Sequence, residues 1–85
     1  MENNNDYNEK LYKFIKKCQR YHYKPDLHSF TVETDRGIAF VECDTHEIDI
    51  YYDVDGNHAR ATFSNAIDAT RFLEYLNARP DTISM

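Results

Sequence analysis

Residues 47–63 read Glu-Ile-Asp-Ile-Tyr-Tyr-Asp-Val-Asp-Gly-Asn-His-Ala-Arg-Ala-Thr-Phe, and this stretch decides the fold. Successive side chains of a strand point to opposite faces. Ile48, Ile50, Tyr52 and Val54 therefore fall on one side, while Glu47, Asp49, Asp53 and Asp55 fall on the other, around Tyr51. Asp55-Gly56-Asn57 is a hairpin signal, because a two-residue turn between antiparallel strands needs left-handed backbone that Gly, Asn and Asp tolerate. A turn at Asp55-Gly56 sets Tyr52 against Ala59, Ile50 against Ala61 and Ile48 against Phe63 inside. It sets Asp53 against His58, Tyr51 against Arg60 and Asp49 against Thr62 outside. A turn at Gly56-Asn57 keeps the same faces.

Working outward, the two-residue beat extends back to Phe30 and turn chemistry divides it into strands. Thr34-Asp35-Arg36-Gly37 suits a tight turn closing with Gly, and Cys43-Asp44-Thr45-His46 suits a second. Four strands joined as a meander follow. The segment Gly37 to Cys43 is apolar on both sides. We read it as a central strand with Ile38 and Phe40 inward and the smaller Ala39, Val41 and Cys43 outward, which leaves a small-residue strip on the open face.

Helices flank the strands. Asp6 with Glu9 three residues on reads as a capping box, and Tyr7, Leu11, Phe14, Ile15, Cys18, Tyr21 and His22 make an apolar stripe that Pro25 ends. At the other end Ser64 or Asn65 is a good N-cap. Ala66, Ala69, Leu73 and Leu76, with Phe72 nearby, make the buried face of a second helix, Arg79 lies near its end and Pro80 stops it. The predicted fold is α+β, in the order α-β-β-β-β-α: a single four-stranded antiparallel meander sheet with an N-terminal and a C-terminal helix on one face.

Eighty-five residues make one domain, 1–85, with one modest core and a polar start, 1–5, that frays. Seven Tyr and five Phe with no Trp make that core aromatic. No apolar run reaches the length of a membrane span or a signal-peptide core, which points to a cytoplasmic protein and to no membrane partner. Cys18 and Cys43 are the two cysteines. A lone pair in a chain of this class reads as two reduced, part-buried thiols, since small secreted folds usually carry several bridges.

Charge is unevenly spread. Residues 1–24 hold six bases and three acids, whereas residues 25–85 hold four bases and twelve acids, which together give the net −5. Between Glu33 and Asp55 stand eight carboxylates (Glu33, Asp35, Glu42, Asp44, Glu47, Asp49, Asp53 and Asp55) against one base, Arg36. Two unit charges about 7 Å apart repel by about 0.6 kcal/mol in water before screening. A solvated face that keeps an antiparallel sheet soluble is one reading of this density. The other is a surface for a basic, nucleic-acid-handling protein, because carboxylates two apart on a strand repeat at a spacing of the order of nucleic-acid phosphates. On that reading Glu47, Asp49, Asp53 and Asp55 form the electrostatic core, Tyr51 the central anchor, and Glu33, Asp35, Glu42 and Asp44 the rim.

Other chemistry finds little footing. Asp53-Val54-Asp55-Gly56-Asn57 lacks the third early ligand and the closing Glu of a calcium loop, and the cysteines and histidines have no zinc spacing, so no metal or cofactor is expected. Cys18 lies on the inward helical stripe, the acidic neighbours of Cys43 would raise its pKa, and neither glycine opens a phosphate loop, so no catalytic residue is assigned and the chain is read as non-enzymatic. A rival reading uses the stripe Lys10, Lys13, Lys17, Arg20 and Lys24, with Tyr12, Tyr21 and Tyr23 interleaved, as a nucleic-acid-binding accessory module. The net negative charge opposes it, so direct nucleic-acid binding is not expected. The same basic helix docking on another copy's acidic sheet would make a homo-oligomer.

The profile of a short, acidic, Asn-, Lys- and Tyr-rich αβ chain with a sheet crowded by Asp and Glu resembles small phage-encoded inhibitors of host defence of the anti-CRISPR type. The resemblance spans the whole chain and rests on size, charge and architecture. It implies occupation of a nucleic-acid site on a CRISPR effector or other nuclease in the cytoplasm of a bacterial host cell. Immunity proteins for nuclease toxins share the same electrostatic logic.

Overall fold

The hairpin read from residues 47–63 forms one half of the sheet. A computed structural model describes residues 7–20, 28–44 and 46–84. The elements run α1 (Glu9–Arg20), β1 (Ser29–Thr34), β2 (Gly37–Cys43), β3 (Ile48–Val54), β4 (Asn57–Phe63) and α2 (Ala66–Tyr75), followed by a single 3₁₀ turn, Pro80–Thr82. The strands form one antiparallel sheet in the order β1-β2-β3-β4. This is the α+β meander expected from the sequence.

The β3-β4 register is the one the turn dictates: Ile48 faces Phe63, Asp49 faces Thr62, Tyr51 faces Arg60 and Asp53 faces His58. Asp55 (φ 51°) and Gly56 (φ 84°) both take left-handed backbone, which makes a type I′ turn whose twist matches that of the flanking strands.

One apolar layer joins sheet and helices. Leu11, Ile15 and Cys18 of α1 and Ala66, Ala69 and Leu73 of α2 pack with Phe30, Val32, Ala39, Val41, Cys43, Ile48 and Ile50 of the sheet. Aromatic rings close its rim: Phe14 lies 5.9 Å from Phe30, and Phe72 sits between Tyr52 at 5.1 Å and Phe63 at 5.3 Å. Both helices thus cover the same sheet face.

The orientation of β2 is the reverse of the sequence expectation. Ala39, Val41 and Cys43 are buried, while Ile38 is 64% and Phe40 39% exposed. The ladder explains it, because Val41 faces Ile50 and Cys43 faces Ile48, the two buried residues of β3, while Glu42 faces Asp49. Glu42 shares a two-residue beat with Ile38 and Phe40, so turning those two inward would have driven a carboxylate into the core. Three small apolar residues are the lesser burial, and the sheet accepts it.

Helix boundaries also shift. Asn8 caps α1, its side-chain oxygen accepting from the Leu11 N–H at 3.1 Å, and its own N–H donates to the Glu74 carboxylate. The expected cap Asp6, the residues Tyr21, His22 and Lys24 of the expected stripes, and Pro25 lie outside the described residues. Asn65 caps α2, accepting from the Asp68 N–H at 2.9 Å. That helix stops at Tyr75 because Asn77 takes a left-handed φ of 59°. Arg79 is therefore not part of it, and Pro80 opens the 3₁₀ turn instead of stopping the helix.

The segment after α2 covers the outer edge of β1. Thr31 and Ser84 exchange backbone hydrogen bonds of 2.8 and 2.9 Å, the Arg79 N–H donates to the Glu33 carbonyl at 2.8 Å, and the Asp35 N–H donates to the Leu76 carbonyl at 3.0 Å. Among the described residues no helix is long and apolar enough to cross a membrane.

Candidate functional site: the open face of the sheet

With both helices on one side, the other side of the sheet is left to the alternate residues of each strand. Strand register arranges them in rows. Ser29, Glu42, Asp49 and Thr62 form one row, and Thr31, Phe40, Tyr51 and Arg60 the next. Glu33 opposite Ile38, with Asp53 opposite His58, make up the third. The face is thus an aromatic band with a carboxylate row on either side. Phe40 and Tyr51 lie with ring centroids 6.0 Å apart, and Ile38 continues the apolar strip.

This apolar centre replaces the small-residue strip expected from the sequence. Its signal was present in the alternation of Ile38, Phe40 and Glu42, which share whichever side Glu42 takes.

The carboxylates are not left bare. Asp49 accepts from the Thr62 hydroxyl at 2.8 Å, and Asp53 pairs with His58 Nδ1 at 2.8 Å. Arg60 lies beside Tyr51, and the hydrogen bond with Tyr51, followed by the charges of Asp49 and Glu47, raises its already high pKa. β4 therefore supplies the polar partners of β3. Among the described residues the charges do not balance, because Glu33, Glu42, Glu47, Asp49 and Asp53 share the face with one permanent cation, Arg60.

Repulsion concentrates at the end of the sheet near the β2-β3 turn. A cleft there is lined by His28, Glu42, Cys43, Asp44, Glu47 and Asp49. The Glu47 carboxyl is pushed above its ordinary value by a hydrogen bond with Asp49, then by the Asp49 charge and, more weakly, by Asp44. Asp44 organises the turn, its Oδ1 accepting from the backbone N–H of His46 at 2.8 Å and of Glu47 at 2.7 Å.

Two residues read as part of the acidic face lie elsewhere. Asp55 is the first residue of the two-residue turn, at the sheet's far end. Asp35 sits at the β1-β2 turn and is tied to the C-terminal segment, accepting from Asn77 Nδ2 at 2.7 Å and from Arg79 at 2.9 Å. Glu33, Glu42, Glu47, Asp49, Tyr51 and Asp53 do share the open side.

The two cysteines are free and buried against each other in the core, between α1 and β2. Cys43 points inward rather than outward. Its pKa is raised by the hydrogen bond with Cys18, by burial and by the nearby Asp44 and Asp49, which leaves it an inert thiol. Among the described residues, no three His, Cys, Asp or Glu side chains converge to hold a metal ion.

On α1, Tyr12, Lys13, Lys16, Lys17 and Arg20 line a second, basic groove. Lys10 of the expected stripe pairs instead with Asp81 at 3.1 Å. Compared with known proteins, the chain matches no family model, and neither the curated proteins nor the solved structures contain a significant match to it.

Proposed function

We propose that this chain is a non-enzymatic binding protein that occupies the basic, nucleic-acid-binding surface of a target protein with the open face of its sheet, and so inhibits that target. The observation that carries the reading is the pairing of Glu42 with Asp49 beside an exposed Phe40-Tyr51 contact. Like charges placed directly opposite each other destabilise a sheet, and exposed rings gain nothing from water. A partner relieves both. Its Arg or Lys head groups neutralise the carboxylate rows while the aliphatic stems lie on Ile38, Phe40 and Tyr51. A CRISPR effector or another nuclease presents such a surface, since a groove that tracks phosphates is lined with those side chains.

The test is capture of targets from the native host by the wild-type chain and by a Glu42→Lys, Asp49→Lys, Asp53→Lys variant, with bound proteins identified by mass spectrometry. The reading expects a basic nucleic-acid-handling protein that the wild type retains and the variant does not, with retention falling as salt rises. Equal retention by both chains overturns it.

A second reading rests on the α1 groove, where Lys13, Lys16, Lys17 and Arg20 cluster around Tyr12. On that reading the chain binds nucleic acid directly. It predicts retention on RNA at low salt that Lys13→Glu with Lys17→Glu abolishes. The first reading predicts none.

A further inference from the structure

The two edges of the sheet are treated differently. β1 is covered along its outer side by the chain's own C-terminal segment, through Thr31, Glu33 and Asp35. Among the described residues β4 has no such cover. Its type I′ turn makes Val54 and Asn57 a hydrogen-bonded pair, so the backbone groups of Asn57, Ala59, Ala61 and Phe63 face β3 and those of His58, Arg60 and Thr62 face outward. Among the described residues, no backbone group beyond the sheet hydrogen-bonds to these three.

Edge strands in monomers are usually blunted by proline, lysine, a bulge or extreme shortness. β4 carries one charged residue, Arg60, but no proline, lysine or bulge: it pairs with β3 in uninterrupted register through all seven of its residues, and its sequence is Asn-His-Ala-Arg-Ala-Thr-Phe. Beside this edge, on the helix side, Phe63 and Phe72 form a ledge that is only partly buried, and the stacked ring of Tyr75 is 74% exposed.

We infer that β4 pairs antiparallel with β4 of a second copy of this chain, giving a two-fold dimer with one continuous eight-stranded sheet. Side-chain chemistry selects the occupant and the register. Among the described residues β4 is the one strand without a carboxylate, so a basic strand would meet Arg60 as a like charge. A two-fold axis through Ala61 avoids that clash in a homodimer. It sets Arg60 opposite Thr62 of the second copy, and Thr62 is the residue whose hydroxyl holds Asp49, so each Arg60 comes within reach of the other copy's Asp49.

The helix side is self-complementary in the same register. Phe63 falls opposite Ala59 of the second copy, a large ring over a small half-buried residue, and Ala61 meets its own equivalent. An axis between the two Arg60 residues would oppose their charges instead. A two-fold axis perpendicular to an antiparallel sheet leaves equivalent faces on the same side, so the two open acidic faces merge into one surface. The pairing is made by the backbone of the edge strand, and it stands or falls separately from the proposed function.

Sedimentation of the full chain over a range of concentrations and salt tests it. The mass should rise to twice the 10.1 kDa of one chain and persist in high salt. Thr62→Pro removes an outward N–H without touching the β3 ladder, and should weaken association at least tenfold while the circular dichroism spectrum is kept. In parallel, Ala61→Cys should cross-link as a dimer with oxidised glutathione, because the two positions meet at the axis, and Ala59→Cys should not. A monomer at every concentration overturns the proposal. So does a dimer that Thr62→Pro leaves intact, or one that dissolves in salt and resists cross-linking at position 61, the behaviour of a basic helix docked on an acidic sheet.

Discussion

Glu42 and Asp49 stand directly opposite one another across the β2-β3 ladder, two acids on the open face with Tyr51 and Phe40 in the adjoining row. Cross-strand like charges cost roughly 0.2–1 kcal/mol. Replacing one should therefore stabilise the free protein while weakening its hold on a basic target. Glu42→Lys is expected to raise the melting temperature by a few degrees, since about 1 kcal/mol shifts a domain of this size by roughly 4–8 °C. Calorimetry checks this, and an unchanged or lower melting temperature would count against a repulsive pair.

The raised Glu47 pKa has a defined signature. Above the ordinary value of 4.5 the native state retains a proton that the unfolded chain has released, so stability falls as pH rises from 4.5 through the raised value. NMR titration of the Glu47 side chain should give a midpoint above 4.5, and Asp49→Asn should lower it by removing the hydrogen bond that comes first among its causes. A native midpoint at or below 4.5 would refute the shared contact.

The inversion of β2 is open to a direct comparison. Val41 is buried and Ile38 exposed. Val41→Ala should cost about 1–3 kcal/mol in urea unfolding, the range for emptying a buried aliphatic site, and Ile38→Ala less than about 0.5 kcal/mol. The opposite ranking would place Ile38 in the core.

How far the sequence could be read follows from what each signal constrains. The faces of the β3-β4 hairpin were legible, because the alternation assigns them alike for a turn at Asp55-Gly56 or at Gly56-Asn57, and the structure takes the first of the two registers. β2 misled because five of its seven residues are apolar, and size alone assigned Ile38 and Phe40 to the core. Glu42 was the discriminating residue, and the cost of burying its charge outweighs the gain from two larger side chains. Asp35 looked like one more member of an acidic run, since nothing local announces that Asn77 and Arg79 fold back to bind it. Long-range hydrogen bonds of that kind leave no periodicity in the chain.

The Asp35 contacts fasten the segment that covers the β1 edge. Their side chains are about half exposed, so Asp35→Ala should cost only about 0.5–1 kcal/mol globally. Locally the effect should be larger. Amide exchange at Thr31, Arg79 and Ser84, whose N–H groups bridge β1 and the segment, is expected to quicken while that of Ile48 and Ile50 is unchanged. Uniform acceleration across the sheet would mean that the contacts hold the whole fold.

The surface itself can be mapped on an isotopically labelled chain titrated with its captured target, following backbone amide signals. Binding through the open face predicts that Ile38, Phe40, Glu42, Asp49 and Tyr51 shift or broaden first, while Lys13, Lys16 and Lys17 stay in place. Changes confined to the α1 lysines, with β2 and β3 silent, would contradict it.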